Sequence, residues 1–142
     1  MLAIGLIGLQ LSTGIWLFII KYGLTPSEVF TYFAGNEELF IMKKSFEGLI
    51  ETAVPHFMAI SLIIFVYAHF LLFTKIISPS QKQFLIFGLF LTASVDIFSP
   101  FGMIYGFEFF AWLKVIAFWS FEMLMGLLLY ILFLVSLRAR KV

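Results

Sequence analysis

His56 and His69 lie within one apolar stretch, ETAVPHFMAISLIIFVYAHFLLF, over residues 51–73. Imidazole is the side chain that most readily changes charge or takes a metal near neutral pH. In an apolar setting the chemistry it offers is axial ligation of haem iron or proton transfer. Asp96, Lys114 and Glu122 stand inside later apolar runs, and Glu51 heads the same run as the histidines. Each is expensive in hydrocarbon, so each is expected to face a partner, a cavity or the interface. The chain has no cysteine, which excludes disulfides, Cys-ligated zinc, iron–sulfur clusters and thiol catalysis. No Ser/His/Asp or paired-carboxylate spacing specifies an enzyme.

The elements that must position these groups follow from composition. The sequence is 63% hydrophobic and 12% charged, with 20 Phe, whereas a soluble domain is nearer half apolar and about a quarter charged. The chain is therefore an integral membrane protein, and its net charge of +1 gives no reason to invoke nucleic acid. A span needs roughly 20 mostly apolar residues, and the sequence supplies such segments at about 1–20, 50–73, 84–98 and 109–137. The first has neither a basic region before it nor a small-residue cleavage site after it, so it reads as a retained helix. Ser99-Pro100 is expected to stop the third.

The fold class is all-α: a single transmembrane domain over 1–142, an integral membrane four-helix bundle with one or two short interfacial helices between helix 1 and helix 2. Lys75, Lys82, Arg138, Arg140 and Lys141 fall on one side with no acidic residue, and Glu28, Glu37, Glu38, Glu47, Glu51 and Glu108, with Lys21, Lys43 and Lys44, fall on the other. The positive side is expected to be cytoplasmic, with both termini inside a bacterial inner membrane. Residues 25–49 are then periplasmic. Within them Thr25-Pro26-Ser27-Glu28 is a helix-start signature, and Ala34-Gly35-Asn36 ends that helix and caps a second at Glu37-Glu38. Val29, Phe30, Tyr32, Phe33, Leu39, Phe40, Ile41 and Met42 provide a surface for the bundle or the headgroup region.

The runs GLTPSEVFTYFAGNEELF, KSFEGLIETAVPHF, AHFLLF and DIFSPF resemble those of a family of small bacterial four-helix membrane proteins of unknown function. The resemblance extends from about Gly23 to Pro100. In that family a His-x-His pair stands where this chain has Val54 and His56, so one of the pair is present here. The resemblance implies a topology and a set of suspect positions, and no activity.

Counting about 1.5 Å per residue from the helix ends puts His56, Asp96, Lys114, Glu51 and Glu108 in an outer polar tier. Asp96 opposes the dipole of its helix end, and Lys114 is its natural counter-ion. The same count puts His69 and Glu122 in an inner tier. The two histidines are about 20 Å apart along the axis and roughly 140° apart around it. The layout resembles that of cytochromes b, which carry two histidines on one helix at this separation with partner histidines on another. Here no further histidine exists, so bis-His ligation of haem b requires a homo-oligomer or another membrane subunit, and Met58 or Met123 offers an alternative ligand.

Three roles follow. The first is a b-type haem- or quinone-linked electron-transfer subunit, with His56 and His69 binding the cofactor and Asp96, Lys114, Glu122 and Glu51 supporting it or handling protons. The second is an accessory or assembly protein whose buried polar groups serve packing alone. Proton-coupled transport is the third, and four helices leave it little room for a central pathway. Gly5-x-x-Gly8 with Gln10, Thr13 and Gly14 reads as a small-residue packing face.

Overall fold

A computed structural model describes residues 2–139, with side chains described over 5–137. Met1, Arg140 and Lys141, and the Arg138 side chain counted above for orientation, lie outside the described residues. Five helices follow in order: α1 Leu2–Tyr22, α2 Pro26–Ala34, α3 Phe46–Leu72, α4 Pro79–Met103 and α5 Phe109–Ala139. All but α2 are long and apolar enough to cross a bilayer. The chain is thus an integral membrane helical bundle with one short helix, α2, between the first two spans.

Local chemistry sets the helix starts. Thr25 caps α2 in a full capping box: its hydroxyl accepts from the Glu28 N–H, and the Glu28 carboxylate accepts from the Thr25 N–H at 2.9 Å and the Leu24 N–H at 3.0 Å. Pro26 occupies the first turn, where no donor is missed. Ser78 and Gln81 repeat the device at α4, and Ser45 caps α3. Gly35, with φ +82°, ends α2. The second short helix expected at Glu37-Glu38 is replaced by a tight reversal, in which Asn36 bridges Ile41 and its side chain accepts from the Leu39 N–H at 3.1 Å. Local side-chain bonding of this kind competes with helix formation.

The α4 helix differs from expectation at both ends, beginning at Pro79 and continuing through Pro100 to Met103. A proline inside a helix leaves the carbonyl four residues earlier without its donor, here that of Asp96. The Lys114 ammonium donates to that carbonyl at 3.0 Å and so satisfies the acceptor that the proline leaves open.

Helices α4 and α5 form the close-packed centre. Leu85, Leu89 and Ala93 of α4 meet Met125, Leu128 and Ile131 of α5, with Ile64 and Leu71 of α3 and Ile7 of α1 completing that core. A second cluster on the α2 side joins Phe18, Val29, Phe33, Leu49, Met103 and Phe118. Phe110 packs on Gly102, where a Cβ has no room, and this close approach sets the α4–α5 corner. By contrast Gly5 and Gly8 have nothing within 4 Å of a Cβ position, while Gly14 of the same expected face meets Glu122 of α5. Helix α1 rests on α5 and α2, and among the described residues none of its Cα atoms comes within 8 Å of α3. A groove runs between those two helices.

Burial of α2 is confined to Val29 and Phe33, so its cap carries much of its order. Thr25→Ala is expected to cost roughly 0.5–2 kcal/mol, read as faster amide exchange across Pro26–Ala34. The Glu28 carboxyl is held below its ordinary value of 4.5 by the Thr25 N–H first, then the Thr25 hydroxyl and the Leu24 N–H. A depressed folded-state value gives stability that is present above pH 4.5 and lost as pH falls through the lowered value. Protection factors across α2, corrected for the intrinsic pH dependence of amide exchange, should therefore fall only below pH 4.5, whereas protection that does not change with acidification excludes this role for Glu28.

Candidate functional site

Lys114 projects from α5 toward α4 and donates to Asp96 twice, to the carboxylate Oδ1 at 2.7 Å and to the backbone carbonyl at 3.0 Å. Its side chain is 6% exposed and that of Asp96 21%, so the pair is largely withdrawn from solvent. The ammonium also faces three aromatic rings, with centroids at 6.0 Å for Phe18, 5.4 Å for Tyr22 and 5.8 Å for Phe33. Those distances suit cation–π attraction, which grows when the cation is desolvated. One side chain thereby joins α1, α2, α4 and α5. Phe18 stacks on Phe118 of α5 at 3.9 Å, and Tyr22 stacks on Phe33. These rings keep water from the ion pair.

Against this junction lies a cavity of about 790 Å³ between α1 and α3, floored by α4 and α5 and bounded on one side by α2. Its size falls within the usual range for small-molecule sites. His56, Asp96, Lys114 and Glu122 all line it. The Glu122 Oε2 is buried and has no hydrogen-bond partner in the protein. The other carboxylate oxygen lies where Gly14 leaves space, 3.4 Å from the position of a Cβ there. Polar groups from Gln10, Lys21, Tyr22, Tyr32, Lys44, Ser45 and Thr52 also reach the lining, among Ile7, Leu11, Ile60, Ile63 and Met125.

His56 is an exposed residue at this wall, and its Nδ1 lies 2.9 Å from the Thr52 carbonyl. A carbonyl only accepts, so Nδ1 carries a proton, which in the neutral form of the ring leaves Nε2 bare. That arrangement fixes the tautomer, as it does for ligating histidines. Pro55, the residue before it, also lines the cavity.

The expected outer tier is assembled in part. Asp96 and Lys114 pair as the depth count predicts, and His56 shares their cavity. Glu51 is exposed and outside the lining, and Glu108 likewise. The inner tier does not form. Glu122 opens into the same cavity as His56, while His69 is exposed near the far end of α3, edge-on to Phe73 at 5.2 Å. Among the described residues no three His, Asp or Glu side chains converge to hold a metal ion.

Of the other lining residues, Tyr32 figures in the sequence only on the interfacial surface and Gly14 only on a packing face, while Lys21 and Lys44 count there only as charge and Tyr22 has no role. The positions of the two lysines at the helix ends, two before α3 and at the last turn of α1, are a visible signal of a shared membrane level.

The model of an uncharacterised transmembrane helical domain family matches residues 23–142, and the chain belongs to that family. The matched range carries His56, Asp96, Lys114 and Glu122, and α1 lies before it. No curated protein and no solved structure matches the chain.

Removing one partner of a buried pair leaves the other charge uncompensated, so Lys114→Met should cost about 3–5 kcal/mol in thermal or denaturant stability. Asp96→Asn should cost less, since the ammonium keeps the carbonyl. Pro100→Ala restores an N–H to that carbonyl, so in a Lys114→Met background it should recover part of the loss. Additive effects of the two substitutions would separate the lysine from the proline.

Proposed function

For a membrane-embedded chain of this family, we propose that the cavity binds a lipid-soluble quinone and that the protein serves membrane electron transfer as a quinone-binding subunit. The observation that carries the reading is the buried Glu122 Oε2, which lacks a partner, on a residue that lines the same cavity as His56 with its bare Nε2. In its quinol form the ring offers two hydroxyls that need acceptors, which the bare His56 Nε2 and the Glu122 carboxylate supply, and the polyprenyl tail matches a groove between apolar helices. Oxidation of the quinol releases two electrons and two protons. Electrons pass to a redox-active partner subunit, and His56 and Glu122 are the groups able to take the protons from the ring oxygens. Lys114 and Asp96 hold the wall on which these groups stand. On the charge asymmetry of the loops, this side of the protein is periplasmic.

Haem b is the second reading, favoured by the Nδ1 contact to Thr52, which leaves Nε2 oriented as a ligand. One chain offers the cavity a single imidazole, because His69 lies outside it. A bis-His haem therefore needs a second copy or another subunit, and His69 has no supporting part in it. Should neither cofactor bind, the buried groups serve packing and the accessory role stands.

The test is solvent extraction and chromatography of the detergent-purified protein, with its visible spectrum. About one quinone per chain is expected, with no Soret band. Losing a hydrogen bond to a buried polar group costs about 1–3 kcal/mol, so His56→Leu and Glu122→Leu should each weaken quinone binding roughly 5- to 150-fold. A Soret band abolished by His56→Ala would replace quinone with haem, and a colourless, quinone-free protein from replete cells would overturn both.

A further inference from the structure

Two cations at the α2 end of the cavity are left unused by any of these roles. Lys21 is next to the last residue of the α1 span, and Lys44 stands two residues before the α3 span begins. Both line the cavity, one from each side of the groove. Tyr32 of α2 sits between them, its ring centroid 5.8 Å from the Lys21 ammonium and 4.6 Å from that of Lys44. Among the described residues the one ion pair is Lys114 with Asp96, so no carboxylate neutralises either rim lysine. Lys43, although adjacent in sequence, does not reach the lining.

This placement has a chemical meaning. Span ends mark the level at which hydrocarbon gives way to phosphate, and unpaired lysines there attract anionic headgroups. Below the rim the walls carry Leu17 of α1 and Leu49 and Ala53 of α3, with Ile60 and Ile63 deeper. The groove above which the lysines stand is not closed by contact between α1 and α3, so a chain from the bilayer can enter sideways. A ligand with an anionic head and an aliphatic tail meets complementary surface at both ends.

We infer that Lys21 and Lys44 form a phosphate-binding rim that seats the headgroup of an anionic phospholipid from the adjoining leaflet, its acyl chain lying in the groove between α1 and α3. The rim is distinct from His56 and Glu122, so it does not depend on the quinone reading. Lipid and quinone tail then compete for the apolar part of the cavity.

Native mass spectrometry of the full chain, delipidated and titrated with phosphatidylglycerol or phosphatidylcholine in micelles, tests the site. One phosphatidylglycerol should be retained with a preference of about tenfold, as expected for two interfacial lysines. In Lys21→Gln/Lys44→Gln that preference should fall to near unity, while Lys43→Gln keeps it. Lys21→Arg/Lys44→Arg should also keep it, which provides a folded comparison if the Gln variant is unstable. Equal retention of the two lipids by wild type overturns the inference, as does an equal loss in Lys43→Gln, which would mark a diffuse surface attraction. Inorganic phosphate at millimolar concentration should fail to displace the lipid. Displacement would make the rim a site for free phosphate and exclude the lipid assignment.

Discussion

A lysine that repairs a proline holds the α2 side of this bundle together. Pro100 removes the helical donor to the Asp96 carbonyl, and Lys114 supplies it from the neighbouring helix while pairing with the carboxylate of the same residue. Each group is costly by itself in an apolar interior: an orphan carbonyl, a buried ammonium and a largely buried carboxylate. Joined, they satisfy one another. Their mutual dependence requires α4 and α5 to meet in one register, and Phe110 against Gly102 fixes the corner that permits it.

The same ammonium explains why α1 and α2 dock where they do. With its hydrogen bonds committed to α4, Lys114 presents its remaining surface to the faces of Phe18, Tyr22 and Phe33. Those rings belong to the last turns of α1 and to α2, and they are drawn to a desolvated cation. Helix α1 is thereby anchored at its α2 end against α5, and α3 leans on α4 instead. Two helices anchored to different partners leave space between them, so the cavity is a consequence of the packing scheme.

What the sequence disclosed follows the range of the forces involved. Thr25 and Glu28 form their capping box as read, because both partners lie within one turn and the chemistry is local. The pairing of Asp96 with Lys114 was legible because two opposite charges at one depth have few other options in hydrocarbon. The passage of α4 through Pro100 was not, since its rescue comes from a side chain on another helix. Glu122 was misplaced for a geometric reason. Helix α5 has 31 residues and is about 46 Å long at 1.5 Å per residue, well beyond a hydrocarbon core of roughly 30 Å. Glu122 stands roughly 20 Å from one end of α5 and about 25 Å from the other at 1.5 Å per residue, so a count from the helix ends does not fix which half of the membrane holds it.

Bringing Glu122 and His56 to one cavity alters what each can do. Apart, on opposite faces of the membrane, a carboxyl and an imidazole can only serve separate sites or fix packing. Within one lipid-facing cavity they bracket a space where water competes weakly, so a hydrogen bond to a bound ring oxygen counts for more than it does at the surface. The Thr52 carbonyl commits one imidazole nitrogen and leaves the other bare, while Gly14 keeps a side chain from crowding the Glu122 carboxylate. On the quinone reading proposed above, both features keep the two groups open to the ring. A purely structural carboxyl at this depth is expected to find a donor within the bundle, as Asp96 does, and Glu122 Oε2 finds none.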